Sequence, residues 1–208
     1  MGIYERTIKI AHTENRTCLL GPYNRFVIWV HGCCFNCPGC LAENTKNGPF
    51  STVPISVLIE QVIIADVEGV TISGGEPFLQ ADELNEFITK LRKKKDIGVI
   101  VYTGFTIEQI KKDISKSKFL SNIDILIDGQ YKKELDDGRA YIGSSNQRLF
   151  YLSDRYKEIG KEYYSGTKRK AEIKLTADQA ILIGVPSTNT LKAWEDIKEK
   201  AGGNICEF

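Results

Sequence analysis

The chain has 208 residues, a formal net charge of +1 and 42% hydrophobic residues. These values suit one core-bearing domain with room for a small appendage. They exclude a long-range pull toward nucleic acid or an anionic membrane, and no apolar run approaches the roughly 18 residues of a membrane span. Six cysteines without an apolar signal segment predict a reducing, cytoplasmic setting rather than a disulfide framework.

In chain order, Ile8–His12 reads as a short strand and His12 as a strand-edge histidine. Cys18 reads as a small, partly buried residue outside any ligand set, and Gly21-Pro22 marks a turn. Phe26-Val27-Ile28-Trp29-Val30 is a continuous apolar run, the pattern of a strand buried on both faces in a parallel sheet. His31, at its carboxyl end, is expected to bond nearby backbone. Next comes Cys33-Cys34-Phe35-Asn36-Cys37-Pro38-Gly39-Cys40. Cys33, Cys37 and Cys40 have the spacing CX3CX2C, which suits three thiolates around one face of a [4Fe–4S] cluster and leaves one iron open. Ferredoxin spacings supply a fourth cysteine; here none is clearly placed to do so. A structural zinc site is the competing reading. It needs a fourth ligand from Cys34, His31, Cys18, His12 or Cys206, and a second CX2C pair is absent.

Residues 41–52 read as loop. Ile55, Leu58, Ile59 and Val62 follow helical spacing and predict a helix over 54–66, with Pro54 in its first turn. A strand over 68–72 opens into Gly74-Gly75-Glu76-Pro77, whose glycines let the backbone approach a ligand closely and whose carboxylate could accept from an ammonium group. A second helix is predicted over 82–94, with Arg92 to Lys95 as its solvated basic end, and a strand over 97–102 that ends at Thr103-Gly104. Thr106 and Gln109 fit a capping box. A strand over 123–127 ends at Asp128-Gly129. Strand and helix alternating with short connections predict an α/β fold with a parallel sheet, and ligands in such sheets sit beyond the carboxyl ends of strands. Residues 132–141 read as a charged surface loop or short helix. Gly143 to Gln147 is turn-like, with Ser145 and Asn146 open equally to turn chemistry and ligand contact; residues 148–152 read as a strand. Beyond it, 172–175 and 180–185 look like a hairpin, Thr190 like the cap of a last helix, and Tyr163, Tyr164, Lys168, Arg169 and Lys170 like a solvated surface. Cys206 reads as incidental.

CX3CX2C followed by Gly-Gly-Glu-Pro resembles the radical S-adenosylmethionine (SAM) superfamily. Cys37-Pro38-Gly39-Cys40, Gly21-Pro22, Val101-Tyr102-Thr103-Gly104-Phe105, Leu126-Ile127-Asp128-Gly129 and Gly143-Ser144-Ser145-Asn146-Gln147 narrow the resemblance to the activating enzymes of anaerobic ribonucleotide reductase. The resemblance implies a partial (β/α) barrel over residues 1–150 and a hairpin-and-helix extension over 151–208. It implies that Cys33, Cys37 and Cys40 hold the cluster and that Cys34 does not. Gly39, Cys40, Leu41, Gly74, Gly75, Glu76, Pro77, Thr103, Asp128 and Asn146 are then the expected SAM-side residues, with no catalytic side chain beyond them. It further implies a 5′-deoxyadenosyl radical, a glycyl-radical enzyme as partner, flavodoxin or ferredoxin as electron donor, and an oxygen-sensitive site. A small-molecule or other peptide substrate, and a zinc-stabilised interaction module, are the alternatives.

Overall fold

The apolar runs become the centre of one sheet. The computed structural model describes residues 5–165, 169–175, 179–201 and 204–207. In chain order the first strands are β1 (Thr7–Thr17), β2 (Arg25–Val30), β3 (Ser51–Pro54), β4 (Gly69–Gly74), β5 (Gly98–Tyr102), β6 (Ile125–Asp128) and β7 (Arg148–Tyr151). They form a seven-stranded sheet in the order β3-β1-β2-β4-β5-β6-β7. The pairs β2·β4, β4·β5 and β5·β6 are parallel, whereas β1 and β7 run antiparallel to their neighbours. The fold is therefore the expected α/β type with a parallel-rich sheet. Two expectations change: β1 is eleven residues long, and β3 begins inside the stretch read as loop and runs to Pro54, the first residue of the predicted helix, because its partner is β1.

The helices are a single turn α1 (Asn44–Asn47), then α2 (Ile55–Ala65), α3 (Ala81–Arg92), α4 (Ile107–Ile110) and α5 (Ile114–Leu120). Ile55, Leu58, Ile59 and Val62 are the buried face of α2, as their spacing predicts, and Asp66 ends that helix in the left-handed region at φ 47°. The capping box at Thr106 and Gln109 forms. Successive parallel strands step in one direction across the sheet, and right-handed crossovers then place their helices on the same face. Phe26, Ile28 and Val30 of β2, Val70 and Ile72 of β4, and Val99 and Val101 of β5 face those helices. The alternate residues Val27, Trp29, Ile100, Ile125 and Ile127 face the other way.

The rest of the chain forms α6 (Lys157–Tyr164), β8 (Ala171–Leu175), β9 (Gln179–Gly184), α7 (Thr188–Ala201) and β10 (Asn204–Glu207), and residues of α6 and β9 pack on that inner face. Tyr156, Ile159 and Tyr164 pack on Ile100, Ile125 and Ile127, so the boundary drawn at residue 150 falls inside β7. The expected hairpin is β8·β9, and β10 adds a parallel strand to it. Ser187, not Thr190, caps α7, its Oγ accepting from the Thr190 N–H at 3.2 Å. Tyr163, Tyr164 and Arg169 do not form a solvated surface. Tyr163 stacks on Tyr141 with ring centres 4.1 Å apart, and the Arg169 side chain is only 7% exposed. Lys168 lies outside the described residues, as does the side chain of Cys206. Cys18 is exposed rather than partly buried, its thiol donating to Asn24 Oδ1 at 3.2 Å.

At the amino-terminal end of the inner face, Arg25 is fully buried. Its guanidinium donates to Thr71 Oγ1 at 2.6 Å, Val70 O at 2.7 Å, Tyr156 Oη at 3.0 Å, Gly98 O at 3.1 Å and Glu68 Oε2 at 3.2 Å. A Cβ at Gly69 would lie 2.4 Å from that guanidinium, which explains the glycine. This plug closes the bottom of the sheet and leaves the carboxyl ends of the strands as the open end. Among the described residues no helix is long and apolar enough to cross a membrane.

Candidate active site

The carboxyl ends of β2, β4, β5 and β6 surround a cavity of about 580 Å³. The cysteine loop leaves β2 at Val30 and forms one wall. Cys33, Cys37 and Cys40 line the cavity and Cys34 does not; Cys34 is exposed. His31 stacks on Phe50 with ring centres 4.1 Å apart, and its buried Nδ1 has no hydrogen-bond partner, so packing, not the expected backbone bond, holds the ring. His12 packs beside Trp29, 5.5 Å between ring centres.

The glycine turn is stitched to the root of the cysteine loop. Gly75 N–H donates to Val30 O and Glu76 N–H to Gly32 O, both at 2.8 Å. A Cβ at Gly75 would meet Gly32 O at 2.0 Å, and one at Gly74 would meet Val30 N at 2.5 Å. Only glycine permits this approach of two strand ends. The glycines thus fix the cysteine loop against β4 as well as leaving the cavity wall bare.

Glu76 is 1% exposed. Its Oε1 accepts from Phe78 N–H at 2.9 Å and from the Thr103 hydroxyl at 2.8 Å, and its Oε2 accepts from Gly104 N–H at 2.8 Å. Three donors thus occupy most of the carboxylate's acceptor capacity, and the side chain ties the end of β4 to the end of β5. Burial pushes its pKa up to about 7 despite those donors. Burial likewise pushes the Cys33 thiol up to about 11 and raises Cys40.

Of the expected SAM-side residues, Gly39, Cys40, Leu41, Gly74, Gly75, Glu76 and Thr103 line this one cavity. Pro77, Asp128 and Asn146 are not among its lining residues. Pro77 is buried and starts a 3₁₀ turn. Asp128 is fully buried and accepts from Ile107 N–H at 2.7 Å and from Arg148 Nε at 2.9 Å and Nη2 at 2.6 Å. Asn146 does turn chemistry: its Nδ2 donates to Gln130 O at 2.8 Å and its Oδ1 accepts from Ser144 at 2.9 Å. The sequence reading missed Trp29, Tyr102, Tyr131 and Tyr141, which also line the cavity. For Trp29 and Tyr102 a signal existed, because each sits at an inward position of a buried strand, two residues after Val27 and Ile100.

The donor set fits an iron–sulfur cluster. Cys33, Cys37 and Cys40 all line the one cavity, and three thiols can each bind a different iron of one cluster. Phe35 N–H points at Cys33 Sγ, 3.4 Å away, the type of N–H···S contact that tunes such clusters. Metal binding must displace the protons that burial holds on Cys33 and Cys40.

Three cysteines beside the carboxyl ends of the parallel strands fit an iron–sulfur protein, and the family comparison agrees. The chain belongs to the 4Fe-4S single cluster domain family, whose profile matches residues 19–150. Its similarity to named proteins is more particular. It is 31% identical over 143 residues to the anaerobic ribonucleoside-triphosphate reductase-activating protein of Enterobacteria phage T4, a match covering 64% of this chain and 88% of that one. It is 33% identical over 88 residues to the pyruvate formate-lyase-activating enzyme of Listeria monocytogenes, covering 39% of this chain and 36% of that one. Among solved structures, QueE from Escherichia coli aligns over 96% of this chain and 92% of that chain with a TM-score of 0.44 and 10% identity.

Proposed function

We propose that the chain is a radical SAM activating enzyme that installs a glycyl radical on an anaerobic ribonucleotide reductase. The observation that carries this is the shared cavity: Cys33, Cys37 and Cys40 face it from one loop, Gly74, Gly75 and Glu76 from the next strand end, and Cys34 is turned away. The similarity to the T4 activating protein supports the choice of partner, since it spans 88% of that protein. The pyruvate formate-lyase-activating enzyme is matched over a much shorter stretch.

Cys33, Cys37 and Cys40 would hold the cluster. When bound, a [4Fe–4S] cluster and SAM would supply the chemistry: one-electron reduction of the sulfonium with cleavage of its S–C5′ bond, giving methionine and a 5′-deoxyadenosyl radical. The chain's own residues supply placement. The Gly74-Gly75 backbone leaves a wall without side chains against which the methionine end of SAM can lie. Glu76 fixes the ends of β4 and β5 through Thr103 and Gly104, so that both walls keep one geometry. Trp29, Tyr102 and Tyr141 present aromatic surface to the chamber. Flavodoxin or ferredoxin is the electron donor that fits this chemistry, and a cytoplasmic location fits the exposed thiol of Cys34.

Anaerobic reconstitution with iron and sulfide, followed by SAM and dithionite, tests the reading. The expected products are 5′-deoxyadenosine and methionine. Stoichiometric zinc and no iron in anaerobically prepared protein would instead support the interaction-module alternative.

A further inference from the structure

One tyrosine of the cavity wall is held in a strained conformation. Tyr141 lines the chamber that the three cysteines face, and its φ is 64°. A bulky side chain in the left-handed region is an outlier that persists only where its surroundings enforce it. Arg169 does the enforcing. It forms a two-pronged ion pair with Asp136 and donates to Arg139 O at 3.0 Å and Gly143 O at 3.2 Å, one on each side of Tyr141.

The enforced conformation carries the Tyr141 ring onto Tyr163 of α6, with ring centres 4.1 Å apart and planes 26° from parallel. Tyr164 meets both rings edge-on, at 6.0 and 5.1 Å. Tyr163 is not among the residues that line the cavity. It is half-buried, and its hydroxyl donates to the carbonyl of the exposed Cys18 at 2.6 Å and accepts from Gly21 N–H at 3.2 Å. Two stacked phenols thus connect the chamber wall to the protein surface. Burial pushes the Tyr163 hydroxyl above the usual phenol range, so it keeps its proton.

We propose that Tyr141 and Tyr163 form a discharge path that takes an unspent radical out of the chamber. The inference rests on the function proposed above, which supplies a primary carbon radical in the cavity that Tyr141 lines. Such a radical, meeting no substrate, attacks the bonds around it, and a phenol O–H is weaker than the C–H bonds of apolar side chains. Tyr141 gives its hydroxyl hydrogen atom to the 5′-carbon: the O–H bond breaks, a C–H bond forms, and 5′-deoxyadenosine leaves a phenoxyl on Tyr141. An electron and a proton then pass from Tyr163 to Tyr141, which moves the phenoxyl to Tyr163. A small thiol from solvent restores Tyr163 with its S–H hydrogen atom, and two thiyl radicals pair as a disulfide. Tyr163 lies beyond residue 150, where the family match ends, so the path is an addition to the activity of the shared core rather than a requirement of it.

The test uses the full chain with its cluster reduced and excess dithionite removed, mixed with SAM in D2O without any partner protein. Exchange places deuterium on the phenol oxygens, so 5′-deoxyadenosine made through Tyr141 carries one deuterium. Tyr141→Phe is expected to lower the deuterium content of the 5′-deoxyadenosine at least fivefold. Electron paramagnetic resonance of freeze-quenched samples should show a phenoxyl signal that narrows when ring-deuterated tyrosine is incorporated and falls at least tenfold in Tyr141→Phe. Tyr163→Phe should form 5′-deoxyadenosine like the parent, but its phenoxyl signal should outlast the parent's about fivefold after dithiothreitol is added, because the radical is stranded on Tyr141. A parent chain that forms 5′-deoxyadenosine without deuterium and without a phenoxyl signal overturns the inference and leaves the proposed function standing. So does a deuterium content or a phenoxyl signal that Tyr141→Phe leaves unchanged, or a signal that thiol removes equally fast from Tyr163→Phe and the parent. An intact cluster that binds SAM but yields no 5′-deoxyadenosine refutes the proposed function itself, and the discharge path with it.

Discussion

Asp128 separates two roles that its motif leaves open, ligand contact and scaffold. The carboxylate is fully buried and accepts from Ile107 N–H at 2.7 Å and twice from Arg148, at 2.9 and 2.6 Å. Asp128→Asn keeps one oxygen and turns an NH2 group toward a donor, so one donor loses its acceptor. Removing one partner of a buried ion pair costs about 3–5 kcal/mol. Here Arg148 is 44% exposed and keeps Glu108 at 2.7 Å, so solvent and the second carboxylate cut the loss to about 2–3 kcal/mol. At about 2–4 °C per kcal/mol for a domain of this size, the melting point should fall by about 5–10 °C. Circular dichroism melts of the metal-free chain measure this, and ultrafiltration of cluster-loaded protein measures SAM affinity, expected within twofold of the parent. An unchanged melting point together with a tenfold loss of SAM affinity would refute the scaffold role and restore Asp128 to the SAM site.

Three further outcomes follow from the same geometry. Alanine at Cys33, Cys37 or Cys40 should abolish or impair cluster assembly, read from iron content and visible absorbance, whereas Cys34→Ala should load iron like the parent; equal losses would overturn the ligand set. Arg25→Met should lower stability by about 3 kcal/mol, because buried carbonyl groups lose charged donors, yet leave cluster loading intact, since the plug lies at the opposite end of the strands; a variant that melts normally but fails to load iron would contradict this. Glu76 is titrated upward by burial from 4.5 to about 7, so the folded chain holds the proton more tightly than the unfolded one. Its contribution to stability is full below pH 4.5 and is lost as pH rises toward 7, an amount of about 2–3 kcal/mol between pH 5 and 8. Urea unfolding of the metal-free chain should therefore show the gap between parent and Glu76→Gln shrinking by that amount over this range, and a constant gap would count against the buried, titrating carboxylate.

The parts of this structure that local chemistry specifies were legible beforehand. Five apolar residues in a row made β2 readable, helical spacing exposed the buried face of α2, and Thr106 with Gln109 announced the start of α4. The cysteine spacing and the glycine turn located two walls of the cavity. What could not be read depends on partners far apart in the chain. β3 is a strand only because β1 lies beside it. Arg25 would pass for a surface cation until Gly69, Thr71, Gly98 and Tyr156 close around it. Arg169 sits in a basic, aromatic stretch that suggests solvent, and burial follows from Asp136, thirty-three positions away. Asp128 and Asn146 carry residue types that suit ligands and turns alike, and only their hydrogen-bond partners decide between the two.

The measurement closest to the central claim is electron paramagnetic resonance of the cluster-loaded chain mixed anaerobically with SAM, reductant and the ribonucleotide reductase of its own organism. A glycyl-radical signal on the reductase, formed with 5′-deoxyadenosine and absent when Cys37→Ala replaces the parent, is the predicted result. An intact cluster that binds SAM yet yields neither the signal nor 5′-deoxyadenosine would contradict the account.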